Sequence, residues 1–592
     1  MALEISTYSS QNYPVKPVTT INYNLPPQEL FFIPGVDTGL SIVRPNEWAW
    51  RPAQRARIAG YSVSAYDNHN QAVDITIDQA TRSRVFESTI EFNSIPAVAQ
   101  NLSVVKNCMG INGKWLLSGA GGARIRNRSV WRSSSDAIEV DTQTDAYLSQ
   151  FQGSDSAMQP LPQFDGDYRA LPYVIDARNL HNYYHFLTET LPRLQIPIDI
   201  GHNGPIQICY KGEQVSGFPK RLIDALFPEI ADRVEFVESP LNIPQAVIDF
   251  SWDHYHAVAP DHIVPSISPL IPAGQKWLHN STARTARRIL DLNAFNTLLV
   301  KLRERALTAI DGMDVSHLPK RFWVTRDPSS PRARMMKNEE ALVTELEKLG
   351  FQSILFEDYS PLEQIALMAN AEIMASHHGA AFANMLFAGP NTQVIEIGTP
   401  QTAMVRWADF FPLAHAAQAQ YTTFFADMDW ATPEIIPNFD KDGHIAVSVT
   451  PNAIKTIVDF IACNVGAYPA KIGRKRLRQN LDVLDKTGKC AAAIGLMEQY
   501  DNLIQGDLDL MRMYVRMCTE LDLPEKTFKM LSAIWLIDQS KPASLERLIW
   551  LCRRTNQLEL APDLVAEHRQ RFPNRHDAFR KKIRWFDRLE QA

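Results

Sequence analysis

Paired cysteines, a basic surplus and long apolar runs are all missing from this 592-residue chain. Its six cysteines, at 108, 209, 463, 490, 518 and 552, are widely spaced and form no CxxC pair. A chain of this length needs no disulfides to hold a core, so the thiols are expected to be buried and reduced. The net charge of −6 and pI near 6.2 give no electrostatic case for a nucleic-acid partner. The first residues, Met-Ala-Leu-Glu-Ile-Ser-Thr-Tyr, lack the basic and apolar regions of a signal peptide. No run approaches the roughly 18 apolar residues of a membrane-spanning helix. Together these absences place the expected protein in the cytoplasm, with any work at a membrane done from its inner face. What remains is ordinary globular composition, 45% hydrophobic and 21% charged. The length suggests about two to four domains.

The pattern along the chain changes three times. Residues 1–165 read as a β-rich region of short strands, such as Tyr61–Tyr66 and Ala72–Ile77, broken by Asn, Asp, Gly and Pro. From 166 to 305, strands at Leu171–Asp176, Pro205–Tyr210, Val234–Val237 and Ala246–Phe250 alternate with helices at His181–Leu194 and Lys220–Phe227. A long helix is expected over Ala283–Arg305. The clearest alternation lies in 306–470, with strands at Arg321–Thr325, Gln352–Phe356, Glu372–Ser376 and Gln393–Ile397. Its helices are Asn338–Leu349, one opening at the capping box Ser360-Pro-Leu-Glu363, and Ala380–Phe387. Such alternation predicts an α/β protein with a covered parallel sheet over 166–305 and a Rossmann-like domain over 306–470. From 475 to 592 the chain reads as helix throughout. Gly488, Asp522 and Asn556 stand 34 residues apart, the period of a tetratricopeptide-like repeat. The basic run Lys471–Arg478 at the boundary reads as a solvated linker or a contact for a membrane or partner.

Two segments carry chemistry. In Met374-Ala-Ser-His-His-Gly-Ala-Ala-Phe-Ala-Asn384, a strand ends in small residues at a helix start. Backbone N–H groups there approach a ligand closely and the helix dipole favours a phosphate. His377, His378, Gly379, Ala380 and Asn384 are therefore candidates for binding a phosphate compound. Glu396, at the end of the next strand, has the placement of a carboxylate that accepts from ribose hydroxyls. Arg326, Arg332 and Arg334, which follow the strand Arg321–Thr325, could clamp phosphates bidentately. The second segment spaces His181, His185, Glu189 and Arg193 four apart, which lines them along one helix face. A His–Glu pair so placed suits proton abstraction from a hydroxyl. Zinc ligation by His181, His185 and Glu189 is the competing reading, but Asn182 stands where the zincin motif needs glutamate.

These pieces, in this order, resemble the family 61 glycosyltransferases. Asn182-Tyr-Tyr-His-Phe-Leu-Thr-Glu189 fits the family's N-Y-x-H-(F/W)-x-x-E segment. Thr325–Glu339 fits its arginine block, Gly350–Glu357 with Glu363-Gln-Ile365 its G-F stretch, and His378–Phe387 with Val394–Ile397 its H-G-A and following strand. Thr325 and Phe382 replace the usual serine and leucine, and Pro328-Ser-Ser-Pro331 is inserted between Arg326 and Arg332. His377 stands where members often have proline, which leaves both histidines as candidates. The resemblance implies a GT-B pair of lobes, with a nucleotide-sugar donor on the second lobe and a glycan or glycoconjugate acceptor on the first. It further implies inversion at the anomeric carbon. The expected base is His185 oriented by Glu189, with Glu189 itself the runner-up. His181, Asn182 and Tyr183 fall on the acceptor side. The arginines, His378 and the helix start would stabilise the leaving diphosphate, so no metal or other cofactor is expected. Surface-polysaccharide synthesis is the expected setting, with the repeats docking a protein partner or a second copy. A scaffold that binds a nucleotide sugar without turnover is the alternative.

Overall fold

The structure is a computed structural model, described for residues 18–44, 50–53, 55–82, 90–117, 146–147, 161–212, 215–252, 294–327 and 335–590. The described residues divide into two compact units. The first takes those up to Ile58, Ser64–Glu339 and Gly350–Val449; the second takes Ala59–Val63, Glu340–Leu349 and the residues from Thr450 onward.

Two sheets organise the first unit. In one, Tyr173–Asp176, Ile206–Tyr210 and Val234–Glu238 lie side by side and parallel. Leu241–Phe250 returns to the other side of Tyr173–Asp176, also parallel. The sheet then continues antiparallel through Ile95–Val105, Cys108–Ile111 and Lys114–Trp115, with Leu40–Ile42 paired to Ile95–Val105. Strands from the expected β-rich region 1–165 therefore extend this sheet and do not stand apart. Ile95–Val105 is buried along most of its length, as an interior strand must be.

The second sheet has the order Gln352–Ile354, Arg321–Val324, Ile373–His377, Gln393–Gly398 and Gln420–Phe425 within this unit. These five are parallel. Each of the four strands expected between 306 and 470 forms within two residues of its expected ends. From Arg321–Val324 the chain moves outward to Gln352–Ile354, then back across to Ile373–His377. That reversal opens a crevice at the carboxyl ends of the strands, where α/β sheets hold ligands.

One expected strand is a helix. Ala72–Ile77 lies inside the helix Asp67–Arg82. Val73 is fully buried, and Ile77 and Ala80 pack against the same core. The spacing 73, 77, 80 is helical, and burial of that face outweighs the few tenths of a kcal/mol by which β-branched residues disfavour a helix.

One hydrophobic core reaches both sheets of the first unit, from Tyr173, Phe186 and Leu191 to Phe382, Leu386 and Phe411, while a second, around Phe31, Leu102, Val174 and Ile248, belongs to the mixed sheet alone. The helix Thr297–Ala309 sits within it, burying Leu298, Leu299, Leu302 and Ala306. Asn296 caps it by accepting from the Leu298 N–H at 2.9 Å. The helix runs without a break across the expected lobe boundary at 305/306. Arg303 donates to the Leu386 carbonyl, whereas Arg305 donates to Gln195 and to the Leu226 carbonyl. The first eleven residues of the expected helix Ala283–Arg305 lie outside the described residues.

Helices make up nearly all of the second unit. Arg474–Lys486, Leu508–Glu520 and Pro542–Arg554 begin 34 residues apart, like the turns that follow them. Gly488, Asp522 and Asn556 all have positive φ, at 68°, 54° and 55°. At each turn an N–H reaches back five residues: Lys489 to Leu484, Leu523 to Cys518 and Gln557 to Cys552. This closure satisfies a carbonyl the helix end would leave orphaned. Leu484, Cys518 and Cys552 are buried at equivalent positions. The basic run is not a free linker: Arg476 pairs with Asp459, and Arg474 and Arg478 with Asp507.

Two outcomes follow for stability. A Cβ at Gly488 meets nothing within 4 Å, so Gly488→Ala tests backbone strain alone. It should destabilise the helical unit by about 1 kcal/mol, and Asn556→Gly should shift its urea transition the other way. In the first unit, burial lowers His415 to about 3, and its Nδ1 accepts from the Ala56 N–H at 2.8 Å. The unfolded imidazole takes up a proton that the folded one refuses. His415 therefore favours folding above pH ~6.5, and this is lost as pH falls toward 3, at up to about 1.4 kcal/mol per unit. Melting temperature measured from pH 7 to 4 should fall less steeply in His415→Gln than in the unsubstituted protein.

Candidate active site

The first half of the site follows the strand Tyr173–Asp176. Asn182 caps one α-helical turn, Tyr183–His185, by accepting from the His185 N–H. The helix then widens into a π-turn, Phe186–Thr190, and tightens over Leu191–Leu194. Phe186, Leu187, Leu191 and Leu194 are fully buried, as the apolar spacing required. π-Turns of this kind are frequently found at functional sites. The imidazole Nδ1 of His185 lies 2.8 Å from Glu189 Oε1. Arg178, in the loop after the strand, donates to the same oxygen at 3.3 Å. Glu189 Oε2 is buried without a hydrogen-bond partner.

The expected stripe of four residues is not continuous. His181 precedes the helix cap and lies off the helix face. Arg193 is buried between Asp176 and Asp249, at 2.6 and 2.8 Å, and Tyr173 donates to the same Asp249 oxygen. Burial raises the Asp176 carboxyl, against the pull of Arg193. Arg193 is thus a structural counter-ion that ties the helix to two strands. Among the described residues no group of three His, Cys, Asp or Glu side chains is placed to hold a metal ion, so the zinc reading of His181, His185 and Glu189 has no cluster behind it.

The second half gathers at the carboxyl ends of the parallel strands. His377 is 3% exposed, the last residue of its strand, and its ring lies beside Trp323. Its side chain is buried, unlike the half-buried His378 that follows it. His378 and Gly379 are half-buried and Ala380 is exposed, at the start of a 3₁₀ helix, Ala380–Phe387. His378 Nδ1 lies 2.5 Å from Glu396 Oε1. The other oxygen of Glu396 accepts from Tyr421 and from Thr423. Glu396 is wholly buried with both oxygens engaged by protein groups. It orients His378 instead. A carboxylate only accepts, so the imidazole carries its proton on Nδ1 and turns Nε2 away from the carboxylate. His444 stacks on the same imidazole, with ring centroids 5.1 Å apart and planes 18° apart.

Arg326, just past Arg321–Val324, donates to the His378 carbonyl. This explains Gly379: a Cβ there would stand 1.9 Å from the Arg326 guanidinium. Arg332 and Arg334 lie outside the described residues. Asn384 is 1% exposed, and its carbonyl oxygen accepts from Tyr183 at 2.7 Å. The bond joins one half of the site to the other. Tyr184, next in sequence, donates to the Asp409 carbonyl at 2.6 Å.

Arg178, Phe410, Tyr421, Thr423 and His444 escaped the sequence reading, and Gln364 entered it only within the Glu363-Gln-Ile365 match. Tyr421 and Thr423 left a legible trace, as polar side chains two apart on one face of the apolar strand Gln420–Phe425. Arg178, Phe410 and His444 carry no local pattern.

Residues 183–395 match the family model described as Glycosyltransferase 61. No curated protein matches the chain. The stretch Tyr183–Ile395, which spans both halves of the site, is a glycosyltransferase family 61 domain, and that membership implies sugar transfer.

Proposed function

We propose that the protein is an inverting glycosyltransferase with GT-B-type lobes, moving a sugar from a nucleotide-sugar donor to a hydroxyl of a glycan or glycoconjugate. The observation that carries this reading is a pair of histidine–carboxylate dyads, one after a strand of each sheet: His185 with Glu189, and His378 with Glu396.

Each dyad suits one half of the reaction. Displacement with inversion needs one base for the acceptor hydroxyl. In that role Glu189 accepts from His185 Nδ1–H and leaves Nε2 to take the proton. Arg178 holds the carboxylate in place. As the acceptor oxygen bonds to the anomeric carbon, the bond to the diphosphate breaks and negative charge collects on the leaving phosphate. His378, Arg326 and the N–H groups at Gly379–Ala380 then stabilise that charge, without a metal ion. Acceptors enter beside His181 and Asn182. Surface-polysaccharide synthesis at the cytoplasmic face of a membrane is the setting that fits, and the 34-residue helical recurrence suits a tetratricopeptide-like partner or self-association surface.

The test is a panel of nucleotide sugars and acceptors, read as nucleoside diphosphate release. His185→Ala and Glu189→Gln should each slow transfer by about 10²–10⁴-fold while leaving nucleoside diphosphate affinity intact. Near-normal transfer by both would remove the dyad as the base. Gly379→Ala should push the Arg326 guanidinium off the His378 carbonyl and weaken nucleoside diphosphate binding by about 10- to 100-fold in calorimetry. Tight binding with no release for any acceptor would favour the scaffold reading.

A further inference from the structure

Tyr183, Tyr184 and His185 are consecutive on one short helical turn, yet they face different partners. His185 turns to Glu189 on its own helix. Tyr183 instead donates across to the second sheet's lobe, to Asn384 Oδ1 at 2.7 Å and Gln364 Oε1 at 3.3 Å. Tyr184 does likewise, reaching the Asp409 carbonyl and meeting Phe410 edge-on, with centroids 5.6 Å apart. Both acceptors of Tyr183 are fixed. Gln364 gives its amide N–H groups to the carbonyls of Phe356 and Tyr359, which aims its oxygen at the phenol. Asn384 sits on the 3₁₀ helix that opens at Ala380, one turn beyond Gly379. Phe410 in turn lies 5.3 Å from the His378 ring. Burial raises both phenols, so they stay neutral donors across the working pH range.

We infer that Tyr183 and Asn384 are positioning residues, whose mutual hydrogen bond registers the helical turn carrying His185 against the turn His378–Ala380. This rests on the reading of His185 as base and of His378–Ala380 as the diphosphate site. A base acts only within hydrogen-bond reach of its hydroxyl, and a misplacement of about 1 Å is costly. The turn is the first of a helix whose Phe186, Leu187, Leu191 and Leu194 are held by the core. The two phenols then set the register of that first turn against the second sheet. Occupation of the diphosphate site tightens the Ala380–Phe387 helix, and through Asn384 it tightens the turn that bears the base.

The experiment uses the full chain, with UDP and GDP as probes and hydrogen exchange of the amides of 183–190 as the readout. In the unsubstituted protein, the diphosphate that binds should slow exchange in this segment, which it does not touch. Tyr183→Phe should bind the same diphosphate within about 3-fold, lose that protection, and show a kcat lowered by at least about 10-fold with little change in the donor KM. Asn384→Leu should do the same, and the double variant should lose no more than Tyr183→Phe alone, since the bond from Tyr183 to Asn384 is lost in all three. Retained protection and kcat in both single variants would overturn the inference and leave the proposed function standing. Additive losses would also overturn it. Binding of neither probe, or unchanged binding by His378→Ala, would overturn the diphosphate site and this inference with it.

Discussion

The spacing between the two halves of the site rests on a hydrophobic core that both sheets share. Phe186, Leu187 and Leu191 on one side and Phe382, Leu386 and Phe411 on the other belong to one cluster, with the helix Thr297–Ala309 inside it. Close-packed interiors resist deformation, so a core common to two sheets fixes their separation more firmly than a linker could. Arg303 and Arg305 add hydrogen bonds in opposite directions from that same helix. The polar bridges from Tyr183 and Tyr184 then refine a distance the core has already set.

The two histidine–carboxylate pairs show how differently one chemical device can be built. His185 and Glu189 are four residues apart, and their contact is a local property of the helix. His378 and Glu396 are 18 residues apart and meet only because their parallel strands are adjacent, with Ser376 opposite Glu396. The exposures differ accordingly. Glu189 retains 27% of its side-chain surface, whereas Glu396 retains none. A half-exposed carboxylate can respond to a substrate. A buried one, saturated by Tyr421, Thr423 and His378, can only hold its histidine still.

Local order was largely legible. The parallel strands, the capping box at Ser360–Glu363 and the 34-residue spacing of the turns each follow from short-range rules of periodicity, capping and αL residues. Where those rules failed, tertiary burial had overridden them. Ala72–Ile77 has the residues of a strand, but the core takes Val73, Ile77 and Ala80 at helical spacing. The regular stripe from His181 to Arg193 was interrupted by a cap, a π-turn and a buried ion pair.

The sequence by itself determined which chemical groups stand at which strand ends, because periodicity and motif order are properties of neighbouring residues. It identified His185 with Glu189, and it placed His378, Gly379 and Arg326 at the carboxyl edge of a parallel sheet. It left His377 and His378 equal, and it put Tyr183, Asn384 and Glu396 at the ligand. Only the tertiary structure decided which protein groups these side chains meet. Side chains alternate faces along a strand, so one histidine is buried beside Trp323 while the next turns to Glu396. The bond from Tyr183 to Asn384 joins residues 201 apart, and no local pattern encodes a contact at that separation.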